Sequence, residues 1–201
     1  MGTQSKAGDR SHPHYLHPHR VEGWVERALQ SSGLALNELD RRRVIAALMS
    51  RPHLLLSGPA GIGKGQFIRA LAVEMVDHPT EFLCITQGHP WWASNTGDVA
   101  TYVRMQTTLN EWRVQLFVSR AMASAPDATP YVICVERLGP PELEWYADWL
   151  LPRIRHANSL THALRLVRFI GSYDTPTLPR LSDQARALIA QVHLAASAPE
   201  R

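Results

Sequence analysis

The chain has 201 residues, 45% of them hydrophobic, and its 21 basic residues stand against 18 acidic ones for a formal net charge of +3. That length and apolar content suit one domain with a sizeable core and argue against a disordered or fibrous protein. The charge balance is too mild for a nucleic-acid footprint, which leaves nucleic acid as an indirect contact at most, and no apolar run nears the roughly 20 residues that span a bilayer, so a cytoplasmic protein with no membrane partner is the expectation.

Residues 1–20 carry Gly, Ser, Pro and the histidines His12, His14, His17 and His19 with no apolar period, which reads as a disordered tail. No cysteine or carboxylate joins those histidines, so they read as solvated rather than metal-binding. From Val21 the pattern turns helical, with Val21, Trp24, Val25 and Leu29 on one face and Ser31-Ser32-Gly33 as the stop. Asn37 is placed to cap a second helix running to Met49, whose apolar side is Val44, Ile45 and Leu48. Residues 21–50 thus form a helical N-terminal extension of a single domain covering 21–201. Within it, Arg41-Arg42-Arg43 reads as a solvated face.

A strand over 53–57 then empties into Gly58-Pro59-Ala60-Gly61-Ile62-Gly63-Lys64-Gly65-Gln66, and a helix follows with Phe67, Ile68, Leu71, Ala72, Met75 and Val76 as its buried face. Strand, Gly-rich turn and helix are the context of a P-loop, in which backbone N–H groups cradle phosphate, the lysine reaches the β/γ-phosphates and the helix dipole points its positive end at them. Gly58, Gly63 and Lys64 fill their slots. Gly65 stands where a Ser or Thr hydroxyl would hold Mg²⁺. Residues 58–66 are therefore the candidate nucleotide-binding residues, for ATP or GTP, since base selection rests on contacts outside the loop.

A second strand is expected over 81–86, then a loop with Trp91-Trp92, then a long helix over 98–123 whose core side is Leu109, Trp112, Leu116 and the 118–122 region. Trp91 and Trp92 read as packing or a protein contact. Residues 131–135 form an all-apolar run that fits a strand buried on both faces, and a helix over 142–156 follows, kinked or ended by Pro152. A fourth strand covers 166–171. The chain closes with a helix from Ser182, in which Leu181, Ala185, Leu188, Ile189, Val192 and Ala196 repeat at helical spacing. Cys84 and Cys134 sit inside strand runs and read as reduced core residues. Strands alternating with helices predict an α/β fold, a parallel sheet flanked by helices on both sides.

Ligands of such sheets sit beyond the carboxyl ends of the strands. After the 131–135 run comes Glu136-Arg137, at the position where a P-loop ATPase places the Asp that orders the Mg²⁺ shell. Glu136 can reach a metal through water, whereas Arg137 stays protonated and cannot act as a base. After the fourth strand comes Asp174, either a phosphate-sensing residue or simply part of the turn Asp174-Thr175-Pro176. Glu136 and Asp174 are the weak catalytic candidates.

The segment from Pro130 to Leu151, PYVICVERLGPPELEWYADWLL, resembles the Walker B region of the McrB, MoxR and dynein-related AAA+ families. The run Phe169-Ile170-Gly171-Ser172-Tyr173-Asp174 is similar to their sensor strand, and His89-Pro90 to a His-Pro common after the second strand. The resemblance covers about residues 44–190. It implies an AAA+-like P-loop fold with a reduced or absent helical lid, an ATP ligand with Mg²⁺, and assembly with homo- or hetero-oligomeric AAA+ partners. On this comparison Gly65 replaces Ser/Thr, Arg137 replaces the water-activating Glu, and Asp174 replaces Asn. Losing such groups together removes several kcal/mol of transition-state stabilisation, since each is typically worth about 10²-fold or more. The implied protein is an ATP-binding AAA+-like subunit with weak or no hydrolysis. Arg180 and Arg186 lie where such families carry arginine fingers, and read here as ordinary surface residues. The alternatives are an active Mg²⁺-dependent ATPase, with Glu136 in the metal shell, and a nucleotide-free interaction module whose surface is marked by Trp91, Trp92, Trp145 and Trp149.

Overall fold

The computed structural model of the chain describes residues 17–88, 97–124, 130–157, 167–175, 177 and 179–195, with the side chains of 97–108, 141 and 155–157 excepted. His12, His14, His89, Pro90, Trp91, Trp92 and Ala196 lie outside those residues or their described side chains.

Two helices come first, α1 (Pro18–Ser32) and α2 (Glu38–Ser50). α1 begins earlier than its apolar period suggests, because Pro18 occupies the first turn, where a missing N–H costs nothing, and His17 becomes the residue before the helix. It ends at Gly33, whose left-handed backbone (φ 67°) lets its N–H return to the Leu29 carbonyl. Asn37 does cap α2, its side chain accepting from the Asp40 N–H at 2.8 Å. The arginine run is tied down by carboxylates: Arg41 to Glu26 and Glu38, Arg42 to Glu38, and Arg43 to Asp40.

The rest is a five-stranded parallel sheet in the order β2-β3-β4-β1-β5. Its strands are β1 (His53–Gly58), β2 (Leu83–Gln87), β3 (Tyr131–Leu138), β4 (Val167–Asp174) and β5 (Ile189–His193). Helices cover both faces, as the alternation of the sequence predicts. On one face α1, α2 and α3 (Lys64–Glu74) pack over Leu54, Leu56, Val132, Cys134 and Ile170. On the other lie α5 (Gly97–Ala123), α6 (Pro140–Glu144), a π-helical turn (Trp145–Leu150), α7 (Leu151–Ala157) and α8 (Asp183–Leu188). These cover Leu55, Ile133, Val135, Val167 and Phe169. The one-turn α4 (Pro79–Phe82) precedes β2, so that strand starts at Leu83 rather than at Glu81. Cys84 pairs with Ile133 and Ile85 with Cys134, so the two thiols, one register step apart, belong to opposite faces of the sheet, and both are free.

Three expectations are corrected. The helical run after Ser182 stops at Leu188, and residues 189–193 form β5 against the open edge of β1, with Ile189 in one core face and Val192 in the other. The apolar spacing of that stretch satisfies both periods, and the unpaired edge of β1 decides between them. In α5 the buried side is Val114, Phe117, Val118 and Ala121, while Leu109, Trp112, Leu116 and Met122 are exposed; the helix carries two apolar stripes, and only one meets the sheet. Pro152 does not end its helix, which runs on to Ala157. The turn before it widens into a π-helix, in which the Leu151 N–H reaches the Tyr146 carbonyl five residues back.

His53 sits fully buried at the start of β1, where its Nδ1 accepts from the Phe169 N–H at 3.1 Å. Burial, helped by the nearby Arg168 guanidinium, pushes its pKa down to about 3, and burial lowers Arg168 itself to about 10. The unfolded chain therefore takes up a proton that the folded chain refuses, so His53 costs stability as pH falls from about 6.5 toward about 3, by at most about 1.4 kcal/mol per pH unit. In His53→Gln, which keeps an acceptor for Phe169, the unfolding free energy from urea titrations is expected to decline less steeply between about pH 6 and 4 than in the wild type; equal slopes would refute this.

Candidate functional site

The site grows from the carboxyl end of β1. All six residues of the strand are buried, and its last, Gly58, is crossed so closely by the chain after β5 that a Cβ there would lie 2.6 Å from the Leu194 carbonyl oxygen. No other residue fits. Pro59, Ala60, Gly61 and Ile62 carry the turn, and Gly63, at φ 91°, supplies the left-handed step that starts α3 at Lys64. The turn thus presents the N-terminus of an 11-residue helix at the sheet's carboxyl edge. Gly65 and Gln66 lie in its first turn.

Lys64 is almost wholly buried. Its ammonium donates to the Pro59 carbonyl at 2.5 Å and pairs with the Asp174 carboxylate at 2.7 Å. Asp174 stands opposite Gly58 across the β1–β4 ladder, at the end of a strand that runs three residues past the expected Gly171, and Thr175 N–H donates to the Gly58 carbonyl at 2.9 Å. Asp174, a phosphate-sensing candidate or a turn residue by sequence, is thus the partner of the P-loop lysine. A charged amine with so little solvent needs a counter-charge, and Asp174 provides it.

β3 also outruns its expected end at Val135. It continues through Glu136 and Arg137 to Leu138, with a bulge against β4: Val135 faces Gly171 and Leu138 faces Tyr173, so one extra residue is accommodated. Arg137 absorbs it in a left-handed conformation, φ 53°, and its N–H donates to the buried Ser172 hydroxyl at 2.9 Å. Before the bulge, alternation places Glu136 on the same face as Val132 and Cys134, the face covered by α3. There Glu136 meets α3 directly. Its carboxylate accepts from Arg69 Nε at 2.5 Å, and a Cβ on Gly65 would sit 3.7 Å from its Cγ. The expected water-mediated metal role of Glu136 thus meets an arginine already in place.

Sequence reasoning missed Arg69 and the Lys64–Asp174 pair. The signal available for Arg69 was its spacing: four residues after Gly65, it shares that residue's helix face. Sequence reasoning also missed Asn110, a buried residue on α5 whose side-chain amide donates to the Gln87 carbonyl at the end of β2, at 2.6 Å. Beside the P-loop lies an open cleft of about 240 Å³ lined by the α1–α2 linker (Leu34, Leu36), Ile62, Leu194 and Ala195. Trp145 and Trp149 stack on each other with ring centroids 5.3 Å apart, and the Arg153 guanidinium lies 3.8 Å over Trp149. They flank the core on the far face, away from α3. Arg180 and Arg186 are exposed, and Arg186 pairs with Asp183. Among the described residues, no group of three or more His, Cys, Asp or Glu side chains could hold a metal ion, and no helix is long and apolar enough to cross a membrane.

No protein-family model matches the sequence, and no curated protein matches it. Among solved structures, that of C. elegans PCH-2 is similar at 13% identity with a TM-score of 0.35, over 89% of this chain and 42% of that one. The chain thus spans less than half the length of that neighbour. At this TM-score the fold class rests on the sheet order and the P-loop geometry.

The bulge makes a direct prediction. A non-glycine residue at φ 53° costs about 1 kcal/mol, so Arg137→Gly is expected to raise the melting temperature by about 3 °C in a calorimetric scan. A lower melting temperature would mean that the Arg137 side chain holds more packing energy than its backbone strains.

Proposed function

We propose that this chain is an ATP-binding, AAA+-like P-loop protein with weak or no hydrolysis, acting as a subunit of a larger assembly, on the McrB or MoxR pattern of its motifs. The observation that carries the binding half is the turn at 58–64: a glycine-shaped loop at the carboxyl end of a fully buried strand, opening onto a helix N-terminus with a buried lysine at its centre. That arrangement suits a polyphosphate, for which converging amides and one cation are the recognition chemistry. The cleft beside Ile62, lined by Leu34 and Leu36 together with the polar side chains of Asn37 and Asp40, suits a nucleobase.

The half of the proposal that concerns hydrolysis rests on what the strand ends carry. Turnover needs a group that activates water and a group that stabilises developing charge. Arg137 cannot take a proton, Gly65 has no hydroxyl, and both strand-end carboxylates are committed to cations: Glu136 to Arg69 and Asp174 to Lys64. A bound phosphate competes with Asp174 for the Lys64 ammonium, so nucleotide entry exchanges one ion pair for another. An otherwise complete P-loop that binds and does not turn over would give a neighbouring subunit a fixed, nucleotide-ordered surface.

Titration of the chain with a fluorescent ATP analogue is expected to show saturable binding that Lys64→Ala weakens by about 10-fold or more, because it removes a charge-assisted contact. Asp174→Asn frees the lysine and is expected to tighten binding by about 10-fold. Phosphate release should stay at background in all three. No binding by the wild type would end the nucleotide reading, and steady turnover lost in Lys64→Ala would end the claim of weak or absent hydrolysis.

A further inference from the structure

A nucleotide at a P-loop ordinarily arrives with Mg²⁺, held by a hydroxyl on the first turn of the helix and a carboxylate at a strand end. Both places can be located in this chain, because a Cβ on Gly65 would lie 3.7 to 3.9 Å from the Glu136 side chain. The residues there do not fit the ion. Mg²⁺ demands near-octahedral oxygen coordination, yet position 65 offers no side-chain oxygen, although a small side chain would meet only ordinary contact distances. The one carboxylate, 11% exposed, already accepts from Arg69 Nε at 2.5 Å. A guanidinium bound there also repels a divalent cation brought within a few ångströms.

The pairing has a structural logic. Arg69 follows Gly65 by four residues, so both face Glu136 from one side of α3. The side chain that would compete with the guanidinium for this space is missing. Arg69 is half exposed, and its guanidinium donates to Glu136 through Nε, which leaves its two terminal amino groups as further donors. The guanidinium cannot be deprotonated, and its planar fork matches phosphate oxygens.

We propose that this P-loop binds its nucleoside triphosphate without a divalent cation, with Arg69, anchored by Glu136, supplying the positive charge in place of the metal. The inference rests on the nucleotide-binding reading and specifies how that same site neutralises its ligand. It gives the Gly65 substitution a purpose: the hydroxyl is lost together with the ion it would bind, and an internal cation takes over.

The test compares binding of the same fluorescent ATP analogue to the full chain in excess MgCl₂ and in excess EDTA. The dissociation constants are expected to agree within about 3-fold. A loss of about 10-fold or more in EDTA overturns the proposal, while absence of binding in both buffers overturns the nucleotide reading as well, so the two failures are distinct. The double variant Arg69→Ala with Glu136→Gln removes the cation without leaving a buried carboxylate unpaired. With an unfolding temperature near that of the wild type, it should lose about 10-fold in affinity in EDTA, and Arg69→Lys should recover most of that loss. Unchanged affinity in the folded double variant overturns the role of Arg69. If the double variant does not fold, Arg69→Gln, which keeps a donor for Glu136, carries the same expectation of about 10-fold weaker binding in EDTA, and unchanged affinity overturns the role of Arg69.

Discussion

A strand with every residue buried must find hydrogen-bonding neighbours on both edges, because an unpaired backbone amide in a dry interior costs free energy on the scale of a lost hydrogen bond. β1 is such a strand, with Leu54 and Leu56 turned to one core face and Leu55 to the other. The whole sheet follows from meeting that need. β4 closes one edge, bringing Asp174 opposite Gly58, and β5 closes the other, bringing the Leu194 amide onto the Ser57 carbonyl at 2.8 Å. The P-loop is thereby suspended from an interior strand of the sheet rather than from its edge. The same pairing explains why glycine alone serves at position 58.

Charge in the site is organised as two closed pairs. Lys64 with Asp174 lies on the β4 side of the loop, and Arg69 with Glu136 on the β3 side. In each a cation from the P-loop helix holds a carboxylate from a strand end, so α3 is tied to the sheet electrostatically as well as by the apolar contacts of Phe67, Ile68 and Leu71. The two pairs differ in exposure. Lys64 is nearly inaccessible, whereas Arg69 keeps half its surface in solvent. A site built this way has its positive charge supplied by side chains. It has little negative charge to offer a metal ion.

Backbone irregularities sit around this centre. The bulge at Arg137 lengthens β3 and leaves Glu136 facing α3, and the π-helical turn before Pro152 lets the helix continue under the opposite face. Each is a local deformation held in place by tertiary packing. Glu136 and Asp174, placed by the sequence after their strands, stand instead inside the sheet, Glu136 opposite Gln87 and Asp174 opposite Gly58.

Much of this was legible in the chain itself. The P-loop, the buried face of α3, the Asn37 cap, the unpaired state of the cysteines and the parallel α/β class all follow from short-range signals: turn chemistry, a 3.6-residue period, apolar runs. What needed the folded structure were the features in which one sequence pattern admits two outcomes. α5 has two apolar stripes, and only contact with the sheet selects Val114 and Phe117 over Trp112 and Leu116. Residues 189–193 fit helix or strand, and the open edge of β1 chooses strand. The ion pairs of Lys64 and Arg69 join residues 110 and 67 positions apart, and no spacing rule reaches that far. By itself the sequence determined most element types and the glycine-rich turn, because those depend on neighbours along the chain. Partners across the sheet were decided only by tertiary structure, because backbone edges and buried charges are satisfied by whatever the fold brings within a few ångströms.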